Sequence, residues 1–187
     1  MNLYFLVEGK TEQKVYPSWI SYLLPNLSRI FSPDQATNNN YYLISGGGFP
    51  SLLDNHLKAS IEDVNNFGMY DFLIICLDSD DVLPEKIIIM VNNFIKHNEI
   101  IPSCKLQVLV QRKCMETWFM GNRTVYPRNP SADFLQFSNF YNVSINDPEI
   151  MPKPHDFVES CSIYHYVYLK NMLSEKRIRY SKKNPRM

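Results

Sequence analysis

Phe72-Leu73-Ile74-Ile75-Cys76-Leu77-Asp78-Ser79-Asp80-Asp81 is the stretch that decides the fold. Six apolar residues without a break are too few for a buried helix, and they show no alternation. Runs of this kind are strands covered on both faces, as in parallel sheets. The run stops abruptly at four polar residues, three of them acids. Pro84 then suits the first position of a helix, which the pattern carries over residues 85–97.

Working outward, residues 2–7 read as a short apolar strand. Gly9 follows, and Val15, Trp19, Ile20, Leu23 and Leu24 recur at helical spacing over residues 11–24 until Pro25-Asn26. Residues 28–40 are polar and rich in Asn, and read as a loop. Residues 41–45 are a second strand. Gly46-Gly47-Gly48 turns the chain into a helix with Leu52, Leu53, Leu57 and Ile61 on one face. Residues 105–110 are a fourth strand. Strands alternating with helices in this way predict an α/β fold, a four-stranded parallel sheet flanked by helices.

Beyond Gln111 the pattern loosens. Residues 124–154 hold Pro127, Pro130, Pro148, Pro152 and Pro154, with Phe134, Phe137, Phe140 and Tyr141 among them needing burial. A last helix is expected over residues 157–173, with Tyr164, Val167, Tyr168 and Met172 inward. The division this predicts is an α/β domain over residues 1–122 and an irregular and helical C-terminal extension over 123–187. That extension is read as a loop-rich cover, a helix and a basic tail.

Composition narrows the class. Hydrophobic residues make up 45% and charged residues 20% of 187, the balance of a globular chain. No apolar run approaches the ~18 residues of a membrane span. The start, Met1-Asn2-Leu3-Tyr4-Phe5-Leu6-Val7-Glu8, lacks the basic region of a secretory signal, so a cytoplasmic location is expected. Cys76, Cys104, Cys114 and Cys161 have no zinc-type spacing and read as reduced thiols. Basic and acidic residues number 19 each, but residues 170–187 hold seven basic residues and only Glu175 as an acid. An acidic body with a basic tail can hold a cation in one place and a phosphate backbone in another. The same tail also reads as a solvated helix end.

Two acidic stretches follow strand ends. One is Glu8-Gly9-Lys10-Thr11-Glu12 and the other Asp78-Ser79-Asp80-Asp81. In a parallel sheet, loops at the carboxyl ends of strands gather along one edge, where ligands bind. Carboxylates gathered there repel one another unless a cation joins them, and oxygen-only ligands suit Mg²⁺ or Mn²⁺. Glu8 and Glu12 are four apart, so a helix puts them on one face. Asp78 and Asp80 are two apart, so extended backbone puts them on one side. Each stretch alone also reads as a helix cap or turn.

Phe5-Leu6-Val7-Glu8-Gly9-Lys10-Thr11-Glu12 followed by Leu77-Asp78-Ser79-Asp80 resembles the Toprim domain of topoisomerases, bacterial primases, OLD-family nucleases and small ribonucleases. The resemblance covers roughly residues 1–111. It implies Glu8 as a catalytic or metal-linked acid and Asp78 and Asp80 as Mg²⁺ ligands. Glu12 resembles the second acid of the OLD-type branch. Met115-Glu116-Thr117-Trp118-Phe119 and Tyr180-Ser181-Lys182-Lys183-Asn184-Pro185 resemble small Toprim-like proteins of bacteria and phages. These imply Glu116 as a further metal-site acid and Lys182, with Lys183 second, as a lysine near the metals.

The resemblance thus implies a Mg²⁺- or Mn²⁺-dependent nuclease acting on DNA or RNA, in phage defence or mobile-element biology, with a partner such as an ATPase. Lys10, Lys176, Arg177, Arg179, Lys182 and Lys183 are its expected contacts to nucleic acid. The alternatives are a non-catalytic binding module on the same fold and a receiver-like phosphotransfer domain. The Glu8/Glu12 spacing and the late Asp pair argue against the receiver-like domain. Trp118 is expected in the core, and His155 and His165 as structural or surface groups.

Overall fold

The computed structural model describes residues 1–183 and 185. Asn184 of the 180–185 stretch and Arg186 of the basic tail therefore lie outside the described residues. The chain divides into two compact units, Met1–Leu77 with Pro84–Val110 and Asp78–Leu83 with Gln111–Met187.

The first unit is a parallel sheet flanked by helices, the fold class the sequence predicts. Its elements are β1 (Leu3–Val7), α1 (Lys10–Leu23), β2 (Ser28–Ile30), β3 (Asn40–Ser45), α2 (Lys58–Phe67), β4 (Phe72–Asp78), α3 (Pro84–His97) and β5 (Lys105–Gln111). The strand order is β2-β3-β1-β4-β5, all parallel. β1 is central: Val7 is in register with Ser45 of β3 on one side and with Cys76 of β4 on the other.

The sheet has five strands where four were expected. The additional one, β2, lies in the polar stretch read as a loop. It is a three-residue edge pairing, Ser28↔Asn40 to Ile30↔Tyr42. Backbone hydrogen bonds hold it, including Ser28 N–H to the Asn39 carbonyl at 2.8 Å. Of its side chains only Ile30 packs on the core, too short a signal for the pattern to reveal.

Period-two alternation sends Tyr4, Leu6, Leu73, Ile75 and Leu77 to one face. There they meet Leu57, Ile61 and Val64 of the α2 arm and Ile87 and Val91 of α3 in one buried core. A π-helical turn, Leu52–Leu57, leads into α2 and buries Leu52, Leu53 and Leu57 as expected. The opposite face receives α1, whose Tyr16 hydrogen-bonds the Cys76 thiol. The buried side of α1 is Thr11, Glu12, Tyr16 and Ile20. This corrects the expected face: Leu23 and Leu24 are exposed and Val15 and Trp19 only half-buried. A polar pair, Thr11 and Glu12, occupies the core side of the first turn, and the apolar count cannot register it.

The second unit contains α4 (Met115–Met120), α5 (Ala132–Phe140) and α6 (Cys161–Ser174). Phe134 is fully buried, edge-on to Tyr168 and Tyr126 and stacked on Phe137. Phe140 is 41% exposed, against expectation, because it closes the end of α5 and only leans on Tyr164. Trp118 is likewise 41% exposed rather than in the core, since Glu116, Thr117, Phe119 and Met120 take the buried side of α4. Glu175, the one acid of the tail, accepts both the N–H and the hydroxyl of Ser131 and so anchors the start of α5. No described helix is long and apolar enough to cross a membrane, and the four cysteines are free thiols.

Candidate functional site

In the first unit, Glu8 is the first residue beyond β1. Its backbone is pinned by the triple glycine. Gly46 N–H extends the β1–β3 ladder to the Val7 carbonyl, and Gly48 N–H donates to the Glu8 carbonyl, both at 2.8 Å. Gly46 has no substitute there, because a Cβ would stand 2.6 Å from the Leu52 Cβ. Gly48 has φ +96, open only to glycine at low cost. From sequence this triplet is a plain turn. In the structure it clamps the backbone of Glu8.

Glu12 bends back to accept the Gly9 N–H at 2.8 Å, closing the first turn of α1. Gly9 is extended (φ −134), so its need for glycine is space. A Cβ would come within 2.9 Å of the Glu12 carboxylate. Because α1 starts at Lys10, Glu8 stays outside the helix and does not share a helical face with Glu12 as expected. Glu12 is buried at 6% exposure. Its negative charge acts on the Cys76 thiol, which burial, with Glu12 adding, pushes up to about 12. Lys10 is exposed at the first position of the helix.

In the second unit, the loop from Asp78 is tightly organised. Ser79 N–H donates to the Gln111 carbonyl and Asp80 N–H to the Lys113 carbonyl, both at 2.9 Å. Lys113 N–H returns a bond to the Ser79 hydroxyl. Asp80 (φ +46) and Lys113 (φ +69) are both left-handed, a conformation that costs non-glycine residues energy and recurs at functional loops. Asp78 is half-buried, Asp80 exposed and Ser79 buried. Asp81 is committed elsewhere: its carboxylate accepts the Cys161 N–H and caps α6.

Glu116 lies in the first turn of α4, 1% exposed. The Tyr180 hydroxyl donates to its Oε1 at 2.8 Å, and Lys182 Nζ stands 3.8 Å from its Oε2. Two residues singled out from distant stretches are thus brought together. Lys176, Arg177, Arg179 and Lys183 are exposed. His155 is exposed and takes no part in these contacts.

His165 is completely buried. Its Nε2 faces the Met151 carbonyl at 3.0 Å and must carry the proton, which leaves Nδ1 to accept the Thr117 hydroxyl at 2.7 Å. Burial first, with the Lys113 cation adding, holds this imidazole below its ordinary 6.5. A histidine kept neutral in the folded state binds fewer protons than the unfolded chain at mildly acid pH. Its contribution is therefore intact above about 6.5 and is lost as pH falls below that value toward the folded pKa. We expect the unfolding free energy from denaturant titration followed by Trp118 fluorescence to drop between pH 7 and 5, by up to ~1.4 kcal/mol per pH unit. His165→Gln flattens that slope; an unaltered slope in the variant rules His165 out as its source.

Among the described residues, no group of three or more His, Cys, Asp or Glu side chains forms a ready metal cage. Mg²⁺ seldom uses one: it keeps several waters and takes one or two carboxylates along with substrate phosphate. The Asp78/Asp80 pair, all oxygen donors on a braced loop, fits that requirement. Comparisons of the chain with family models, curated proteins and solved structures return no match.

Proposed function

We propose that this chain is a Mg²⁺- or Mn²⁺-dependent hydrolase of nucleic-acid phosphodiester bonds, working in the cytoplasm. One observation carries the reading. β1 and β4 are hydrogen-bonded neighbours, yet the helices that follow them, α1 and α3, cover opposite faces. That is a topological switch point, where open α/β sheets bind ligands beyond the carboxyl ends of their strands. Glu8 is the first residue beyond β1, and Asp78 is the last residue of β4.

In this reading Asp78 and Asp80 would hold the divalent ion. When bound, the ion polarises a phosphoryl oxygen and acidifies a water. Glu8, its backbone clamped by Gly48, orients the attacking water and receives its proton. Glu12 braces the turn that carries Glu8 by holding the Gly9 N–H. Lys182 meets the charge that grows on the phosphoryl oxygens. Lys10, Lys176, Arg177, Arg179 and Lys183 contact the phosphate backbone, with binding that weakens steeply as salt rises.

The test is the purified chain with single- and double-stranded DNA and RNA, with Mg²⁺, Mn²⁺ or chelator. Metal-dependent cleavage is expected. Nucleic-acid binding without cleavage at any metal concentration overturns the hydrolase and favours a non-catalytic binding module.

A further inference from the structure

β5 ends the strand order β2-β3-β1-β4-β5, so one side of it has no strand neighbour among the described residues. Two hydrogen bonds fix which residues face that side. Lys105 N–H donates to the Asp71 carbonyl, and the Gln111 carbonyl accepts the Ser79 N–H. In a parallel ladder the N–H and C=O of one residue point the same way, and the direction alternates along the strand. Residues 105, 107, 109 and 111 therefore bond toward β4. Leu106, Val108 and Val110 turn their backbone groups to the open edge. Their side chains pack on the core but stay only partly buried. The outward Val108 carbonyl accepts the side-chain amide of its own neighbour, Gln107, at 3.3 Å.

The two edges of the sheet differ in their protection. Edge strands are commonly kept short or charged, which blocks pairing with another chain. β2 is three residues long with Arg29 at its centre. β5 is seven residues long. After Lys105 its run Leu106-Gln107-Val108-Leu109-Val110 carries no charge and no proline. Leu109 is 46% exposed on the face away from the core.

We propose that the β5 edge is the contact surface for a second copy of this chain, paired antiparallel about a two-fold axis at Val108. In that arrangement the strand is its own complement. Val108 meets its counterpart, Leu106 meets Val110, and Gln107 meets Leu109. The outward N–H and C=O groups of Leu106, Val108 and Val110 bond across the axis, and their side chains complete their burial apolar against apolar. The two Lys105 cations lie at opposite ends, about 20 Å apart along the strand, so like charges do not oppose each other. The pairing consumes the edge, so assembly stops at the dimer. One strand pair is small beside the ~1,200–2,000 Å² of standard interfaces, so the dimer is expected to depend on concentration in the micromolar range.

The experiment is sedimentation velocity on the full chain from about 1 to 100 µM, a range that brackets a micromolar Kd. The apparent mass should rise from 22.0 kDa toward twice that value. Val108→Pro removes the central outward N–H, a change that an edge strand tolerates where this group faces solvent. Gln107→Lys with Leu109→Lys sets lysines opposite each other across the axis. Each should raise Kd about tenfold or more. Gln107→Lys with Leu109→Glu sets lysine opposite glutamate and should recover that loss. Positions 107 and 109 are exposed, so the charge pairs keep the test intact if Val108→Pro fails to fold.

A chain that is monomeric at every concentration overturns the proposal and leaves the edge to a strand from another protein. A dimer indifferent to the opposed lysines forms elsewhere on the surface and overturns the β5 edge. Loss with the opposed lysines and no recovery with lysine opposite glutamate overturns the antiparallel register. Growth past the dimer overturns the two-fold.

Discussion

Replacing Asp78 by Asn should lower kcat/KM for metal-dependent cleavage by more than about 100-fold while the chain stays folded. Even partners that only orient a metal ligand are worth about 10–100-fold in affinity or activity, and Asp78 is proposed as a ligand itself. The amide matches the carboxylate in size, so the half-buried end of β4 has no cavity to fill. What changes is charge: an amide oxygen attracts a hard dication much less than a carboxylate does. Raising Mg²⁺ should therefore recover part of the lost rate, and calorimetry should show weaker Mn²⁺ binding. Asp80→Asn should behave alike. The left-handed backbone at Asp80 tolerates Asn, so misfolding is no rival explanation. An Asp78→Asn protein that cuts at the wild-type rate over a Mg²⁺ titration removes Asp78 from the site.

The sheet was legible because its interior strands are made of side-chain pattern. Phe72 to Leu77 can be nothing but a strand covered on both faces, and Leu52, Leu57 and Ile61 can only be a helix face. β2 was illegible because it is three residues long and gives the core one partly buried apolar side chain, Ile30, too little for a pattern. The face of α1 was misread for a related reason. Glu12 points inward to hold Gly9 N–H, and no hydrophobicity count ranks a glutamate as core.

The candidate acids were visible as residues that follow strand ends. What they touch was not, since each partner is remote in sequence. Thr117 meets His165 across 48 residues, Asp81 meets Cys161 across 80, and Glu116 meets Tyr180 across 64. The single local hint of the last pair is that Tyr180 and Lys182 lie two apart, the spacing that sends both to one side of an extended segment. The glycine triplet shows the converse: its flexibility was legible, but its role of fixing Glu8 appears only once β1 and β3 are side by side.

The largest stability effect is expected from Phe134→Ala. The ring is 1% exposed and contacts Tyr126, Phe137 and Tyr168, with centroids 5.5–6.2 Å away. Removing a buried phenyl ring costs about 3–5 kcal/mol, part from lost transfer energy and part from the cavity. Single domains are stable by only about 5–15 kcal/mol, so the second unit would keep a small margin. Each unit carries one tryptophan, Trp19 in α1 and Trp118 in α4. Single-tryptophan variants therefore report the two units separately. Denaturant titration followed through Trp118 should show the loss in Phe134→Ala, and Phe134→Leu, which refills most of the volume, should recover more than half of it. The Tyr180–Glu116–Lys182 contact belongs to this unit, so cleavage by Phe134→Ala should fail at a lower denaturant concentration than in the wild type. A Trp118 transition that does not move would show that α5 adds nothing to the core holding Glu116 and Lys182 together.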